Sequence, residues 1–306
     1  MQFIVTYKRC TKMIMSRDDY DKVNPQTTQL SITMDKAQEM VERVGKMLED
    51  KGFKCRQNGS VGSLFSSIKQ LNENSKLMSD HEYRNKFLKC NNAIQIAQAI
   101  EFAIKEPHSK LAIQRIISSN MNFYDRRLSS GKDALWELDL FRRLKLGNVQ
   151  VKFEEPDLVV SLGERFGDYA IACKKTYSQN SVEKAFHKGL EQLKKHNKPG
   201  VVAFNLDDLT PGNSVWQVKE SSSLESELEK INTSFIRKNE RLFRIADDLE
   251  YCDGVIVSTS VMSEILNLEH KITLARSCAA FQTGRKEMQT QRFNKFVASL
   301  DNVLKK

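Results

Sequence analysis

Two acids and a lysine between positions 137 and 174 have the types and order that metal-assisted cleavage of a phosphodiester needs. Glu137 lies in a helical pattern, and Asp157 follows a proline at the start of a predicted strand. Lys174 ends the next predicted strand, and Gln192 lies on the helix predicted after it. Carboxylates can hold a divalent cation, while a lysine can position the attacking water or neutralise developing charge. The two acids and the lysine therefore predict a hydrolytic site for a phosphate ester.

The elements that must position these residues follow the order α-β-β-β-α-β. Apolar residues recur at helical spacing in two segments and at strand spacing in the others, and Ser181 is a suitable N-cap for the second helix. This pattern predicts an α/β fold with a mixed sheet. The predicted elements are a helix over 133–146, strands over 149–153, 156–162 and 169–175, a helix over 181–196 and a strand over 201–206.

Strand alternation decides which side chains of the third predicted strand can meet in one site. Successive side chains of a strand point to opposite faces, so Lys174 shares its face with Ala172 and Ala170. Cys173 and Lys175 share the other face. If Lys174 faces the site, its nearest neighbour on that face of the strand is therefore a methyl group.

The order and spacing of these residues resemble the PD-(D/E)XK nuclease superfamily, in its restriction-endonuclease-like and resolvase-like branches. The resemblance covers about residues 130–260. It implies a restriction-endonuclease-like αβββαβ core and a phosphodiester hydrolase. Asp157 corresponds to the strand acid of that family and Lys174 to its catalytic lysine. Glu137 corresponds to a helix glutamate, and Gln192 resembles a glutamine that some branches carry near the lysine.

Ala172 departs from the family pattern, which has Asp or Glu at this position to share the metal. A Mg²⁺ or Mn²⁺ ion can still be held by Glu137, Asp157 and the backbone carbonyl of Cys173, because Mg²⁺ usually keeps several waters. The resemblance therefore implies a metal-dependent nuclease with a reduced set of ligands.

The loss of that acid also allows a second interpretation. A degenerate nuclease fold would act as a nucleic-acid-binding or protein-interaction module and would cut nothing. Glu154 or Glu155, close by in sequence, could instead take over the role of the missing acid. Retention of the other charged site residues favours activity, because burying charges without a function is costly.

The sequence as a whole predicts two domains, with an insertion in the second. Residues 1–125 form a mostly helical N-terminal domain or subdomain, and residues 126–306 form the nuclease-like domain. A helical insertion at about 215–250 interrupts the second domain with heptad-like apolar spacing. This pattern predicts a helix lying across the sheet. A homodimer contact or a protein partner, bound through the insertion or the N-terminal region, is the alternative.

The charge of the chain favours an anionic partner. The formal net charge is +9 and the pI is about 9.1, which points most simply to nucleic acid, with DNA ahead of RNA. Residues 51–100 hold eight basic side chains against three acidic ones. This excess predicts either a DNA-facing surface or the solvated side of ordinary helices.

Cysteine usage and hydropathy predict a cytoplasmic protein. The six cysteines form no CxxC pair and no regular spacing, so we expect reduced thiols and no zinc framework. The apolar run at the N-terminus is too short for a secretion signal. No apolar stretch approaches the ~20 residues of a membrane span, so we expect no membrane association.

Overall fold

The chain folds into two compact units. The first comprises residues 1–4 and 31–142, and the second comprises residues 5–30 and 143–306. This division falls later in the chain than the domain boundary expected after residue 125. The computed structural model describes residues 2–8, 11–14, 27–74, 77–210, 215–266 and 272–303.

Helices make up most of the described part of the first unit. They follow three strands, β1 (Gln2–Lys8), β2 (Thr11–Ile14) and β3 (Thr27–Thr33), which the unit boundary divides. The first helix begins where Thr33 Oγ1 accepts the backbone N–H of Lys36 at 3.3 Å, and it buries Val41, Val44 and Leu48 on one face. The helices are α1 (Met34–Asp50), α2 (Ser60–Asn74), α3 (Asp80–Ala103), α4 (Lys110–Ser118) and α5 (Ser130–Leu146).

The second unit contains the predicted run of strands and helices. Its strands begin and end within about two residues of the positions expected from the sequence. The run is β4 (Val151–Glu154), β5 (Asp157–Ser161), β6 (Asp168–Lys175), α6 (Val182–Lys195) and β7 (Gly200–Asn205). It continues through β8 (Trp216–Val218), α7 (Ser221–Phe243), β9 (Cys252–Ile265), β10 (Ile272–Gln282) and α8 (Glu287–Val303).

The described strands form one mixed sheet, so the prediction of an α/β fold with a mixed sheet is confirmed. The order across the sheet is β3-β1-β10-β9-β7-β6-β5-β4, with β2 beside β10 and β8 beside β9. The pairs β4–β5, β5–β6 and β9–β10 are antiparallel, whereas β6–β7 and β7–β9 are parallel. Helix α6 is the crossover that joins the parallel neighbours β6 and β7.

Helix α6 packs closely on the sheet through an apolar face. Phe186, Leu190 and Leu193 are buried there at helical spacing. The helix can approach β7 because residue 189 is glycine: a Cβ at Gly189 would lie 2.8 Å from Val202 Cγ2. This close packing fixes the helix whose next turn carries Gln192.

The segment at 215–250, expected as a helical insertion, contains a strand as well as a helix. Strand β8 pairs in parallel with β9, and α7 follows it. The apolar side of α7 packs on the unit's own sheet, with Leu228, Phe235 and Phe243 buried. The helix therefore covers the sheet, as its apolar spacing predicts.

Membrane helices and disulfides were both expected to be absent. None of the helices in the described ranges is long and apolar enough to cross a membrane. The cysteines that the structure describes carry free thiols, namely Cys55, Cys90, Cys173, Cys252 and Cys278.

Candidate active site

Lys174 lies at the centre of a cluster of polar contacts near the end of β6. Its Nζ donates to the carbonyl oxygen of Cys173 at 2.9 Å and to Oε1 of Gln192. Asp157 Oδ2 lies 3.7 Å from the same Nζ. The side chains of Lys174 and Asp157 are 14% and 15% exposed, so the pair is shielded from bulk water yet open to it at one edge. Shielding strengthens the field that the ammonium presents to an approaching anion.

Asp157 is held in place by the neighbouring strand. Leu158 is the residue of β5 that pairs with Ile171 of β6, so Asp157 stands just beyond the last backbone pair. Its Oδ2 accepts the backbone N–H of Cys173 at 2.7 Å. This side-chain hydrogen bond extends the pairing of β5 with β6 beyond the backbone hydrogen bonds. The carboxylate is therefore oriented by β6, the strand that carries Lys174.

Gln192 connects the lysine to the hairpin between β4 and β5. Its carbonyl oxygen accepts from Lys174, and its Nε2 lies 3.5 Å from the carbonyl oxygen of Pro156. The position follows from α6, whose buried face turns the residue towards the sheet. An amide suits this place because it can accept from an ammonium and donate to a carbonyl at once.

Ala172 offers no ligand to a metal. Its methyl group is fully buried and belongs to the apolar cluster that includes Val182, Leu190 and Val202. Asp157 is thus the carboxylate of this cluster of contacts. In the described part of the chain, no three His, Cys, Asp or Glu side chains come together as a metal-holding group.

Two oxygen atoms beside Lys174 could coordinate a cation that takes its other ligands from substrate phosphates and waters. Asp157 supplies a carboxylate, and Cys173 supplies a carbonyl oxygen that already accepts from the Lys174 ammonium. Mg²⁺ is commonly bound through one or two carboxylates together with substrate phosphates and waters. Asp157 and Cys173 are the residues of this cluster whose oxygens would coordinate such an ion.

Glu137 lies on the part of α5 that belongs to the first unit. It is buried, and its Oε2 accepts from Arg115 Nη2 at 2.8 Å. The predicted site residues that the structure brings together within the second unit are therefore Asp157, Lys174 and Gln192. Glu137 contacts Arg115, which belongs to α4.

The two glutamates proposed as substitutes for the missing acid have other partners. Lys152 Nζ lies 2.7 Å from Glu154 Oε2, and Lys198 contacts the other oxygen. These hydrogen bonds lower the pKa of Glu154 to about 2. Glu155 is largely exposed and lies 3.6 Å from His196. Both acids are thus engaged with basic side chains at positions outside the Lys174 contacts.

A second polar cluster, which the sequence analysis did not identify, anchors the end of β6 on the opposite face. Lys175 Nζ donates to Asn205 Oδ1 at 2.6 Å and lies 2.9 Å from Asp208 Oδ2, and both charged side chains are buried. Asn205 in turn donates to Asp207 Oδ2 at 2.9 Å, while Asp207 Oδ1 accepts the backbone N–H of Ser260 at 2.6 Å. Two features of the sequence could have indicated this cluster. Strand alternation places Lys175 on the face opposite to Lys174, and the acids Asp207 and Asp208 follow β7.

Comparison with known proteins adds no relative. No family model, no curated protein and no solved structure matches the chain.

Proposed function

We propose that this chain is a metal-dependent nuclease that hydrolyses phosphodiester bonds, with DNA ahead of RNA as its substrate. The observation that carries the proposal is the placement of the Lys174 ammonium 3.7 Å from the Asp157 carboxylate and in contact with Gln192. A resolvase-like or restriction-endonuclease-like core is the finer part of the same proposal. Its support is the α5-β4-β5-β6-α6-β7 order and the residues that this order places side by side.

The residues of the site have separate roles in this proposal. Lys174 donates to a phosphate oxygen and stabilises the negative charge that develops on it during attack. Gln192 and the Cys173 carbonyl hold the ammonium in position, which lowers the cost of orienting it in the transition state. Asp157 and Cys173 would hold Mg²⁺ or Mn²⁺, which when bound supplies Lewis-acid polarisation of the phosphate. Glu137 remains the second carboxylate that the sequence predicts.

Cleavage by the purified protein tests this proposal. A supercoiled plasmid and short labelled DNA and RNA strands would be incubated with Mg²⁺, with Mn²⁺ or with EDTA. We expect nicking or shortening of the DNA with either metal and none with EDTA. Intact DNA under all metal conditions would contradict the proposal.

The buried methyl group of Ala172 favours a second candidate function. A nuclease fold that lacks this acid could bind nucleic acid without cutting it, since the binding surface does not depend on the metal. Retained DNA binding with no cleavage under any metal condition would support this candidate. A homodimer or protein partner bound through α7 has less support, because the apolar side of that helix already packs on its own sheet. We place the protein in the cytoplasm, where its free thiols stay reduced.

A further inference from the structure

Helix α6 carries a row of lysines on its solvent side. Lys184, Lys188 and Lys195 are exposed, and within the described ranges none of the three ammonium groups has an ion-pair partner. At 3.6 residues per turn, these positions lie within about 40° of one another around the helix axis. The three lysines, called here the α6 lysine row, therefore form one stripe along the helix.

The α6 lysine row flanks the residue that contacts the candidate catalytic lysine. Lys188 is four residues before Gln192 and Lys195 is three residues after it, so each is its neighbour on the helix surface, with Cβ atoms about 5–6 Å apart. Gln192 Oε1 accepts from Lys174 Nζ. A polymer strand that binds along this row therefore passes over or beside the residues that contact Lys174.

The acids on α6 leave the charge of the row available. Glu191 is exposed within the same stripe, but in the described part of the chain it forms no ion pair with Lys188 or Lys195. An i,i+4 pair between Glu191 and Lys195 is the usual way in which a helix uses such spacing for its own stability. The three ammonium groups outnumber the one carboxylate of Glu191, so the stripe keeps a net positive charge that attracts a polyanion.

We propose that Lys184, Lys188 and Lys195 form a phosphate-contact surface that holds a nucleic-acid backbone across the Lys174 site. Ammonium groups recognise phosphates as point charges, so the contact is independent of base sequence. This inference deepens the proposed function and rests on it for the fate of the bound strand. It also assigns the contact to α6 and not to the basic excess of residues 51–100, which the sequence left open as a DNA-facing surface or the solvated side of ordinary helices.

Equilibrium binding of a short fluorescein-labelled DNA duplex, measured by fluorescence anisotropy in EDTA over a range of salt, tests this surface. The variant replaces Lys184, Lys188 and Lys195 by Gln. Its matched control replaces Lys36, Lys46 and Lys89, three exposed lysines of the first unit, by Gln and loses the same charge. Both sets are exposed, so far-ultraviolet circular dichroism and thermal unfolding of the two variants should match the wild type.

The expected result separates the two variants. The α6 variant should bind at least about tenfold more weakly at low salt, with a log–log salt slope smaller by about 3, one for each lost phosphate contact. The control should stay within about threefold of the wild type, because it removes the same charge without removing a proposed phosphate contact. Equal weakening of both variants, or no binding of DNA by the wild type, would overturn the inference.

The same variants distinguish this inference from the proposed function. If binding depends on the α6 lysine row but no condition yields cleavage, the surface stands and the nuclease proposal fails. If the α6 variant binds and cuts DNA as the wild type does, the nuclease proposal stands and the surface fails.

Discussion

Two adjacent lysines at the end of β6 have opposite surroundings. Lys174 contacts Gln192 and Asp157 at an edge that water reaches, whereas Lys175 is buried against Asn205 and Asp208. The cause is the alternation of a strand, which turns successive side chains to opposite faces. Lys174 therefore meets a substrate in the proposed reaction, while Lys175 ties β6 to the turn after β7.

Replacing Lys175 by Met should destabilise the fold strongly. The change breaks a buried ion pair at 2.9 Å, and loss of one member of such a pair costs about 3–5 kcal/mol. Urea unfolding measures the effect, with Lys188→Met as an exposed-lysine control that should change the free energy of unfolding by less than about 0.5 kcal/mol. The double variant Lys175→Met/Asp208→Leu should recover much of the loss. A Lys175→Met protein as stable as the control would contradict this role.

At the scale of elements, helix α6 positions the site because it can lie close to β7. Glycine at position 189 removes the side chain that would otherwise separate helix and strand, since a Cβ there would lie 2.8 and 2.9 Å from the Val202 methyl groups. Gln192 lies one turn further along the same helix. The distance between helix and sheet therefore affects the reach of Gln192 to Lys174.

Gly189→Ala should destabilise the protein even though alanine is the better helix former. The new methyl group overpacks the interface at a cost of about 1–3 kcal/mol, which exceeds the gain of about 1 kcal/mol in helix propensity. Gly45→Ala in α1 is the matched control, because a Cβ there has no neighbour within 4 Å. That control should gain about 0.5–1 kcal/mol. Chemical unfolding of both variants gives the comparison, and a stabilising Gly189→Ala would refute the packing argument.

The elements that the sequence predicts well are those with a strong local signal. The run from β4 to β7 has clear alternation, clear helical spacing and short connections, so its order and bounds follow from the sequence. Strand β8 is three residues long and exists through its pairing with β9, a contact that no local pattern encodes. The attachment of β2 to β10 is a long-range pairing for the same reason.

The candidate site likewise contains contacts that follow from local sequence signals and contacts that only the folded chain reveals. The approach of Asp157 to Lys174 involves two consecutive strands, but their shared face follows from alternation only once the register that pairs Leu158 with Ile171 is known. The partners of Lys175 lie about 30 residues further along the chain, so only the folded sheet reveals them. Glu137 contacts Arg115, from another helix of the first unit, and its place in the site stays a prediction.

At the scale of the whole molecule, the formal net charge is +9, and some of the basic side chains form ion pairs at the surface of the sheet. Lys152 and Lys198 both contact Glu154, and Lys152 also lies 3.2 Å from Asp168. These contacts favour the ionised form of Glu154, which is why its pKa falls to about 2 from 4.5. The basic side chains that remain unpaired, including the α6 lysine row, are those that can meet a polyanion.

The low pKa of Glu154 predicts a loss of stability in acid. Because the folded-state pKa lies below the unfolded one, the contribution is complete above pH 4.5 and disappears as the pH falls through about 2. Glu154→Gln should therefore be less stable than the wild type at neutral pH, and the difference should shrink over this range. Unfolding by urea at several pH values measures it, with Glu191→Gln as a control that removes an acid without an ion pair. A difference that stays constant from neutral pH to pH 2 would contradict the assignment.

The most direct test of the Lys174 site is Mg²⁺-dependent nicking of a supercoiled plasmid by the wild type, by Lys174→Met and by Lys46→Met. Methionine removes the ammonium but keeps an unbranched side chain that is only one atom shorter, and Lys46 is an exposed lysine of the first unit. We predict that the wild type and Lys46→Met nick the plasmid at similar rates. Lys174→Met should be slower by at least about a hundredfold, because loss of a preorganised charge at the reacting phosphate costs that much, while its affinity for DNA changes little. Cleavage by Lys174→Met at the wild-type rate, or no cleavage by the wild type with Mg²⁺ or Mn²⁺, would contradict the account.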